Sequence, residues 1–208
     1  MIFKFKFFLI AFLVVQAGNS QNSFEGIITF NITFISKDSL PDAKMDAENR
    51  FKLMEGDSIK MLYSRLGHIK HLYLNSSDKG IAYYLISPDG SRKRKLKSGI
   101  LDKPSGKVKF LGKFKTGNQV VMGMDCECYQ YKFKAQKVKY LIETMCFNKS
   151  TPKVDYKLFN AEKNSTDRDY FETAERPYLK HTIDTGTFTI DYTAYKLTVE
   201  NINFQEFN

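Results

Sequence analysis

After residue 23 the chain alternates apolar and polar residues again and again, and helical periodicity is nearly absent. Phe24, Ile28, Phe30, Ile32 and Phe34 point one way. Glu25, Thr29, Asn31 and Thr33 point the other, with Ile27 breaking the polar face once. An irregular stretch, Ser39 to Asn49, follows. Strand-like runs then come at short spacing: Arg50 to Glu55, Ser58 to Arg65, His68 to Asn75 and Gly80 to Ser87. Between them stand Gly56-Asp57, Gly67, Ser76 to Gly80 and Pro88-Asp89-Gly90. Pro fixes φ, Gly supplies positive φ and Asp caps its own backbone, so these are turns and the runs form an antiparallel meander.

In the run from Lys107 to Lys115, Val108, Phe110, Gly112 and Phe114 oppose the lysines, so its outer face is expected to be a ladder of Lys107, Lys109, Lys113 and Lys115. Cys128 to Lys134 puts Tyr129, Tyr131 and Phe133 on one face. With Val138 to Cys146 it is expected to form a hairpin. Residues 148–178 are the least strand-like. Thr166 followed by Asp169 has the form of a helix start, in a segment ending before Pro177. In the last region Phe188, Ile190 and Tyr192 alternate. The apolar phase then moves to Tyr195, Leu197 and Val199 and returns at Ile202 and Phe204, which predicts bulges in a curved sheet.

The first twenty residues follow another rule. Lys4 and Lys6 precede an unbroken apolar run, Phe7 to Val15, and Gly18 and Ser20 are small residues at the −3 and −1 positions. This pattern predicts a signal peptide, expected to be cleaved before Gln21. The run is too short for a transmembrane anchor. Residues 21–208 are then expected to form a single antiparallel β domain, secreted or periplasmic. The formal charge of +9 falls to +7 once Lys4 and Lys6 are removed. A basic surface of that size attracts anionic glycans or lipid headgroups, and nucleic acid is not expected as the partner.

Chemistry is sparse. No G-x-S-x-G, H-E-x-x-H, P-loop or dinucleotide fingerprint occurs, so neither enzyme activity nor a cofactor is expected. His68 and His71 lie three apart on a strand, hence on opposite faces, and no metal site is expected from them. Half of the basic run Arg92 to Lys97 must point away from the other half.

Export makes a disulfide the first thought for Cys126, Cys128 and Cys146. A three-residue loop centred on Gln136 sets Cys126 opposite Cys146, but it turns the Tyr129, Tyr131 and Phe133 face against Lys139 and Leu141. A four-residue loop, Lys134 to Lys137, pairs Phe133 with Val138 and Tyr131 with Tyr140, and leaves Cys146 opposite Asp125. Burying three aromatics at about 1.5–3 kcal/mol each outweighs a disulfide at about 2–4 kcal/mol, so the second register is expected. Cys126 or Cys128 could then reach Cys146 only through a bulge near Gly123.

Several segments carry a resemblance: Phe24-Glu25-Gly26, Val121-Met122-Gly123-Met124-Asp125-Cys126, Met145 to Pro152, Pro177 to Lys180 and Asn203 to Phe207. With these the chain resembles secreted Bacteroidetes proteins of unknown function that are similar to the lipoprotein carriers LolA and LolB, or to GLPGLI-type domains. The resemblance implies a mainly β fold, a curved antiparallel sheet forming an open half-barrel, with short helices over its concave face. In lipoprotein carriers that face holds acyl chains. The expected function is a non-enzymatic carrier or binding module for a lipid or an acylated protein. The alternative is a surface or assembly protein whose basic face meets an anionic glycan, a lipid headgroup or a partner protein. The expected apolar site is Phe30, Phe34, Tyr129, Tyr131, Phe133, Phe188 and Tyr192 from the sheet, closed by Tyr170 and Phe171 from the 148–178 segment. Phe159 is a further candidate plug.

Overall fold

The alternating segments pair into one sheet. Its strands are β1 (Gly26–Ser36), β2 (Ser58–Tyr63), β3 (Ile69–Leu74), β4 (Ile81–Ile86), β5 (Arg92–Leu96), β6 (Leu101–Asp102), β7 (Val108–Val121), β8 (Met124–Ala135), β9 (Leu141–Phe147), β10 (Lys180–Asp184) and β11 (Phe188–Val199). Among the described residues two helices, α1 (Pro41–Glu55) and α2 (Thr166–Ala174), and two short 3-10 turns complete it. The computed structural model describes residues 23–99, 101–102, 108–135, 140–159 and 166–207. The leader expected over residues 1–20 and the side chain of Phe159 lie outside the described residues.

The sheet has 11 strands in the order β6-β5-β4-β3-β2-β1-β11-β10-β9-β8-β7. Each described pair is antiparallel, so the meander expected from the turn chemistry is what forms. The last strand returns to pair with the first, Phe30 opposite Ala194 and Phe34 opposite Ile190. The sheet curls strongly: β11 approaches β7 although β10, β9 and β8 lie between them in pairing order. Fold class is therefore as expected, mainly β with a curved antiparallel sheet. Among the described residues no helix is long and apolar enough to cross a membrane.

Four local expectations are corrected. The stretch Ser39 to Glu55, expected as irregular chain and then strand, contains the helix α1. Pro41 starts it, where a missing N–H costs nothing, Asp42 sits in the first turn and Lys52 in the last, each matching the helix dipole. Gly56 ends it at φ 79°, its amide donating to the Lys52 carbonyl at 2.9 Å. Only glycine fits there, because a Cβ would lie 1.8 Å from the Leu74 carbonyl oxygen. Ala43, Ala47, Phe51 and Glu55, four apart, are partly covered together with Glu48, and no residue of α1 is fully buried.

The hairpin register is neither of those considered. Phe133 pairs with Leu141, Tyr131 with Glu143 and Tyr129 with Met145. This lies three residues beyond the expected pairing of Phe133 with Val138, and an odd shift exchanges the faces of β9. Cys128 now stands opposite Cys146, their Cα atoms 4.0 Å apart, and they form a disulfide, leaving Cys126 as a buried thiol. The burial argument failed because β8 continues to Ala135 against β7, so the turn cannot begin at Lys134.

The lysine ladder on β7 is also broken. A bulge between Phe110 and Gly112 extrudes Leu111 and reverses the phase. Phe110 pairs with Phe133, but beyond the bulge Lys113 and Lys115 pair with Tyr131 and Tyr129, on the aromatic side. On the opposite face Lys132 lies 5.0 Å from the Phe114 ring centre. In β11 one shift exists, between Ala194 and Lys196, and it turns Tyr195 out to solvent. The second expected shift is the end of the strand. There Phe204–Phe207 forms a 3-10 turn, and Phe207 buries itself on the convex face with Leu62 and Leu85.

Candidate functional site

Strand parity decides which side chains face the hollow of the sheet. On β1 the even residues Ile28, Phe30 and Ile32 are buried and Asn31 and Thr33 are less covered. Cross-strand partners share a face. Pairing therefore carries the concave side to Ile59, Met61 and Tyr63 on β2, Ile69, His71 and Tyr73 on β3, and Tyr84 and Ile86 on β4. It reaches Arg92 and Arg94 on β5. In the other direction it runs through Phe188, Ile190, Tyr192 and Ala194 on β11 to His181, Met145 and Tyr129.

All the aromatic residues expected in the apolar site meet in one cluster. Phe30, Tyr131, Phe133, Tyr170 and Phe171 are fully buried, and Phe34, Tyr129, Phe188 and Tyr192 are half-buried against them. Helix α2 forms where Thr166 predicted it. Tyr170 fits edge-on to Tyr131, Phe147, Phe171 and Tyr178, with ring centres 5.2–6.5 Å apart. The α2 end is held on the sheet by Lys113 Nζ donating to Thr173 Oγ1 at 2.9 Å, and by Val154 N donating to the Glu175 carbonyl at 2.8 Å. Tyr178 reaches from there to Phe30 and donates to Met61 Sδ at 3.5 Å. Burial pushes the phenols of Tyr131 and Tyr170 above their ordinary range.

Helix α1 covers the other end differently. Phe51 stacks on Phe34 at 4.5 Å, and Phe34 on Phe188 at 5.3 Å. Hydrogen bonds hold the helix at its middle and near its C-terminal end. Ser77 N donates to the Leu53 carbonyl at 2.8 Å, and Ser36 N to Glu48 Oε1 at 3.3 Å.

Beneath α1 lie polar groups that the aromatic pattern did not point to. Tyr192 OH donates to Glu55 Oε2 at 3.5 Å. Burial raises the Glu55 carboxyl from near 4.5 to about 7, although the Arg94 charge and the Tyr192 contact pull it down. Arg92 Nη1 donates to Tyr84 OH at 3.1 Å, and Tyr84 packs on His71 at 5.6 Å. His71 Nε2 is inaccessible and has no hydrogen-bond partner. Burial, with the charges of His181 and Arg92, lowers its pKa to about 3, so the ring is neutral. His181 Nε2 meets Glu143 Oε2 at 2.9 Å.

The signal for this cluster was present in the alternation. Parity places His71 with Ile69 and Tyr73, and puts Arg92 and Arg94 opposite in direction to Lys93 and Lys95. Glu55 was hidden because its segment was read as a strand. His68 and His71 do point to opposite faces, His68 against Phe207 on the convex side. Among the described residues no group of three or more His, Cys, Asp or Glu side chains could hold a metal ion. A cavity of about 200 Å³ on the convex face, over the disulfide, is lined by Thr116, Asn118, Gln119, Gln130 and Thr144. It is smaller than the roughly 300–1,000 Å³ of a usual ligand site.

No family model and no curated protein sequence matches the chain. Among solved structures it is similar to lipoprotein LppX of Mycobacterium tuberculosis, with 11% identity over 92% of both chains and a TM-score of 0.38. It is also similar to LprF of Mycobacterium bovis, with 11% identity over 94% of this chain and 97% of that one and a TM-score of 0.35. A third similar structure is a protein domain from Vibrio parahaemolyticus described as outer membrane lipoprotein-sorting, with 8% identity over 94% and 95% and a TM-score of 0.29. Likeness at this level identifies neither a ligand nor a partner for this chain.

Proposed function

We propose that the protein is an exported, non-catalytic carrier or binding module that takes a lipid or the acyl group of a lipoprotein on the concave face of its sheet. The observation that carries this reading is the unequal cover of that face. A continuous apolar lining runs from Phe30 through Phe34 to Phe188, yet α1, lying over its half-buried end, has no fully buried residue. An apolar hollow under a loosely seated helix suits a guest that enters by lifting the helix. Tyr170 and Phe171 act as a permanent floor plug at the other end.

The basic-surface alternative has less behind it. The basic run divides between the faces of β5, and two outward lysines already have contacts within the protein. Lys70 donates to the Glu206 carbonyl and lies 4.6 Å from the Tyr83 ring centre, with Lys95 5.9 Å from the same ring.

Native mass spectrometry of the protein purified from its own host tests the proposal. A co-purified amphiphile is the expected result. A bare polypeptide mass, together with no uptake of long-chain lipid from detergent-free solution, would overturn it. N-terminal sequencing of the same sample is expected to begin at Gln21.

A further inference from the structure

Four rings on the α1 side of the sheet point into the hollow and still keep part of their surface open. His71, Tyr73, Tyr84 and Tyr192 are only half-buried, although the pairing of β3, β4 and β11 turns them inward. Space therefore remains among them that the protein's own side chains do not fill. The charges bordering that space are taken. Arg92 Nη1 donates to Tyr84 OH at 3.1 Å, and both Arg92 and Arg94 have further partners. His181 Nε2 meets Glu143 Oε2 at 2.9 Å. Burial raises the Glu55 carboxyl towards its neutral form, and its oxygen accepts from Tyr192 OH at 3.5 Å. A charged guest would shed its water here and meet no unclaimed counter-ion. His71 differs from the other polar groups. Its ring is neutral, and its Nε2 is inaccessible with no hydrogen-bond partner. A neutral imidazole carries one donor and one acceptor. An apolar ring at this position would avoid the cost of that unmade bond.

We infer that the hollow takes an uncharged amphiphile, whose hydroxyl or ester oxygen hydrogen-bonds to the imidazole of His71 and whose hydrocarbon runs over Tyr192, Phe188 and Phe34. Ring contacts mark the path. Phe34 stacks on Phe188 at 5.3 Å and on Phe51 of α1 at 4.5 Å. Tyr192 lies four residues from Phe188 on the same face of β11. The imidazole has open surface on the hollow side, and turning about its Cβ–Cγ bond brings the unused nitrogen to a guest lying there. The inference rests on the carrier reading and adds to it that the ligand is neutral.

The probe is the methyl ester of a naturally fluorescent polyene fatty acid, followed by its own emission at pH 8. A monoacylglycerol, a lysophosphatidic acid and a plain hydrocarbon of matching chain length compete with it, carrying a neutral, an anionic and no head group. The monoacylglycerol is expected to displace the probe at about tenfold or more lower concentration than the lysophosphatidic acid, because an ion gains no partner in the hollow. H71F keeps an aromatic ring and removes both nitrogens. It should lower the affinity of the monoacylglycerol relative to the hydrocarbon about fivefold, the worth of one neutral hydrogen bond. Hydrocarbon binding should be unchanged, which also shows that the variant is folded, and the urea midpoint should rise. H71Q keeps a donor and an acceptor and should retain part of the monoacylglycerol's advantage.

Competition by the lysophosphatidic acid equal to or stronger than that of the monoacylglycerol overturns the neutral ligand and leaves the carrier reading standing. An unchanged ratio of monoacylglycerol to hydrocarbon affinity in H71F overturns it as well. A fall in both stability and hydrocarbon binding in H71F makes His71 a structural residue and has the same consequence. If neither the probe nor any competitor binds, the carrier reading falls and this inference with it.

Discussion

The two ends of the concave face belong to one sheet and are both lined by aromatic residues, yet they are closed in opposite ways. Under α2 the side chains of Tyr131, Phe133, Met145, Tyr170 and Phe171 are all at or below 2% exposure, and the Cys128–Cys146 disulfide ties β8 to β9 nearby. Under α1 the aromatics Phe34, Phe51, Tyr73, Phe188 and Tyr192 are only half-buried and share their space with Glu55, His71, Arg92 and Arg94. One end is finished by its own residues. The other is only partly covered and mixes aromatic with charged residues. A protein selected for stability alone would bury apolar groups at both ends, so the difference is where function is to be sought.

The sharpest way to break the comparison is to remove one aromatic from each lid. Tyr170→Ala or Phe171→Ala should each cost about 3–5 kcal/mol, the usual range for emptying a closed aromatic site. Phe51→Ala should cost less than about 1.5 kcal/mol, because its ring is only partly covered and water can occupy the space. Urea unfolding monitored by circular dichroism measures both. The double variant Y170A/F171A should also bind a hydrophobic dye more than the unmodified protein while keeping its sheet signal. Equal costs at Phe171 and Phe51 would mean that the two lids are equally part of the core.

The disulfide comes next. It closes a chain segment of sequence separation 18 and should contribute about 3 kcal/mol. The paired substitution C128S/C146S should lower the urea midpoint accordingly and leave the amide exchange of α1 unchanged, since the bridge lies at the other end. A loss of α1 protection in that variant would show the two ends to be one cooperative unit.

How far the alternation reached differs between these ends in the same way. The meander, the curved sheet, α2 and the convergence of the aromatic residues were legible because period two fixes the face of each residue wherever a strand is regular. The errors fell where an extra residue entered or where a longer strand overran a turn. The bulge at Leu111 moved Lys113 and Lys115 to the face of Tyr131 and Tyr129, and the extension of β8 to Ala135 moved its partner by three residues. Neither is written in local composition. Helix α1 escaped because its covered face, Ala43, Ala47, Phe51 and Glu55, holds a single large apolar residue. The same feature makes it a weak core element. The polar cluster was legible only in part: the parity of β5 announced that the basic run divides between two faces, but which half faces the hollow needed the pairing, and Glu55 needed the helix.

The exposed cover of α1 should appear as early hydrogen exchange. Its amides, except those anchored near Leu53, should open with a free energy well below that of β1 and β11, in the manner of a locally unfolding element. Addition of a bound amphiphile should slow or speed α1 alone. Uniform exchange across α1 and the central strands would remove the case for a helix that lifts.

The smallest effect expected is a pH dependence confined to α1. Burial raises the Glu55 carboxyl from about 4.5 to about 7. A carboxyl with a raised folded pKa is bound more tightly to its proton in the docked state, so docking is most favourable below pH 4.5 and weakens as pH rises towards 7, then levels off. His71 acts in the other direction. Its pKa is lowered to about 3, so its contribution is complete above pH 6.5 and is lost as the pH falls. Between pH 4.5 and 6.5 the two slopes oppose, and global stability is a poor reporter of either. Local exchange separates them, because Glu55 belongs to the helix and His71 to β3. A charged Glu55 can escape its cost by lifting the helix end, so the loss is bounded by the docking energy of α1, on the order of 1 kcal/mol for a helix without a fully buried residue. The protection of α1 relative to E55Q should therefore fall by less than about tenfold between pH 5 and pH 8. A pH-independent ratio would place Glu55 in solvent and remove it from the site.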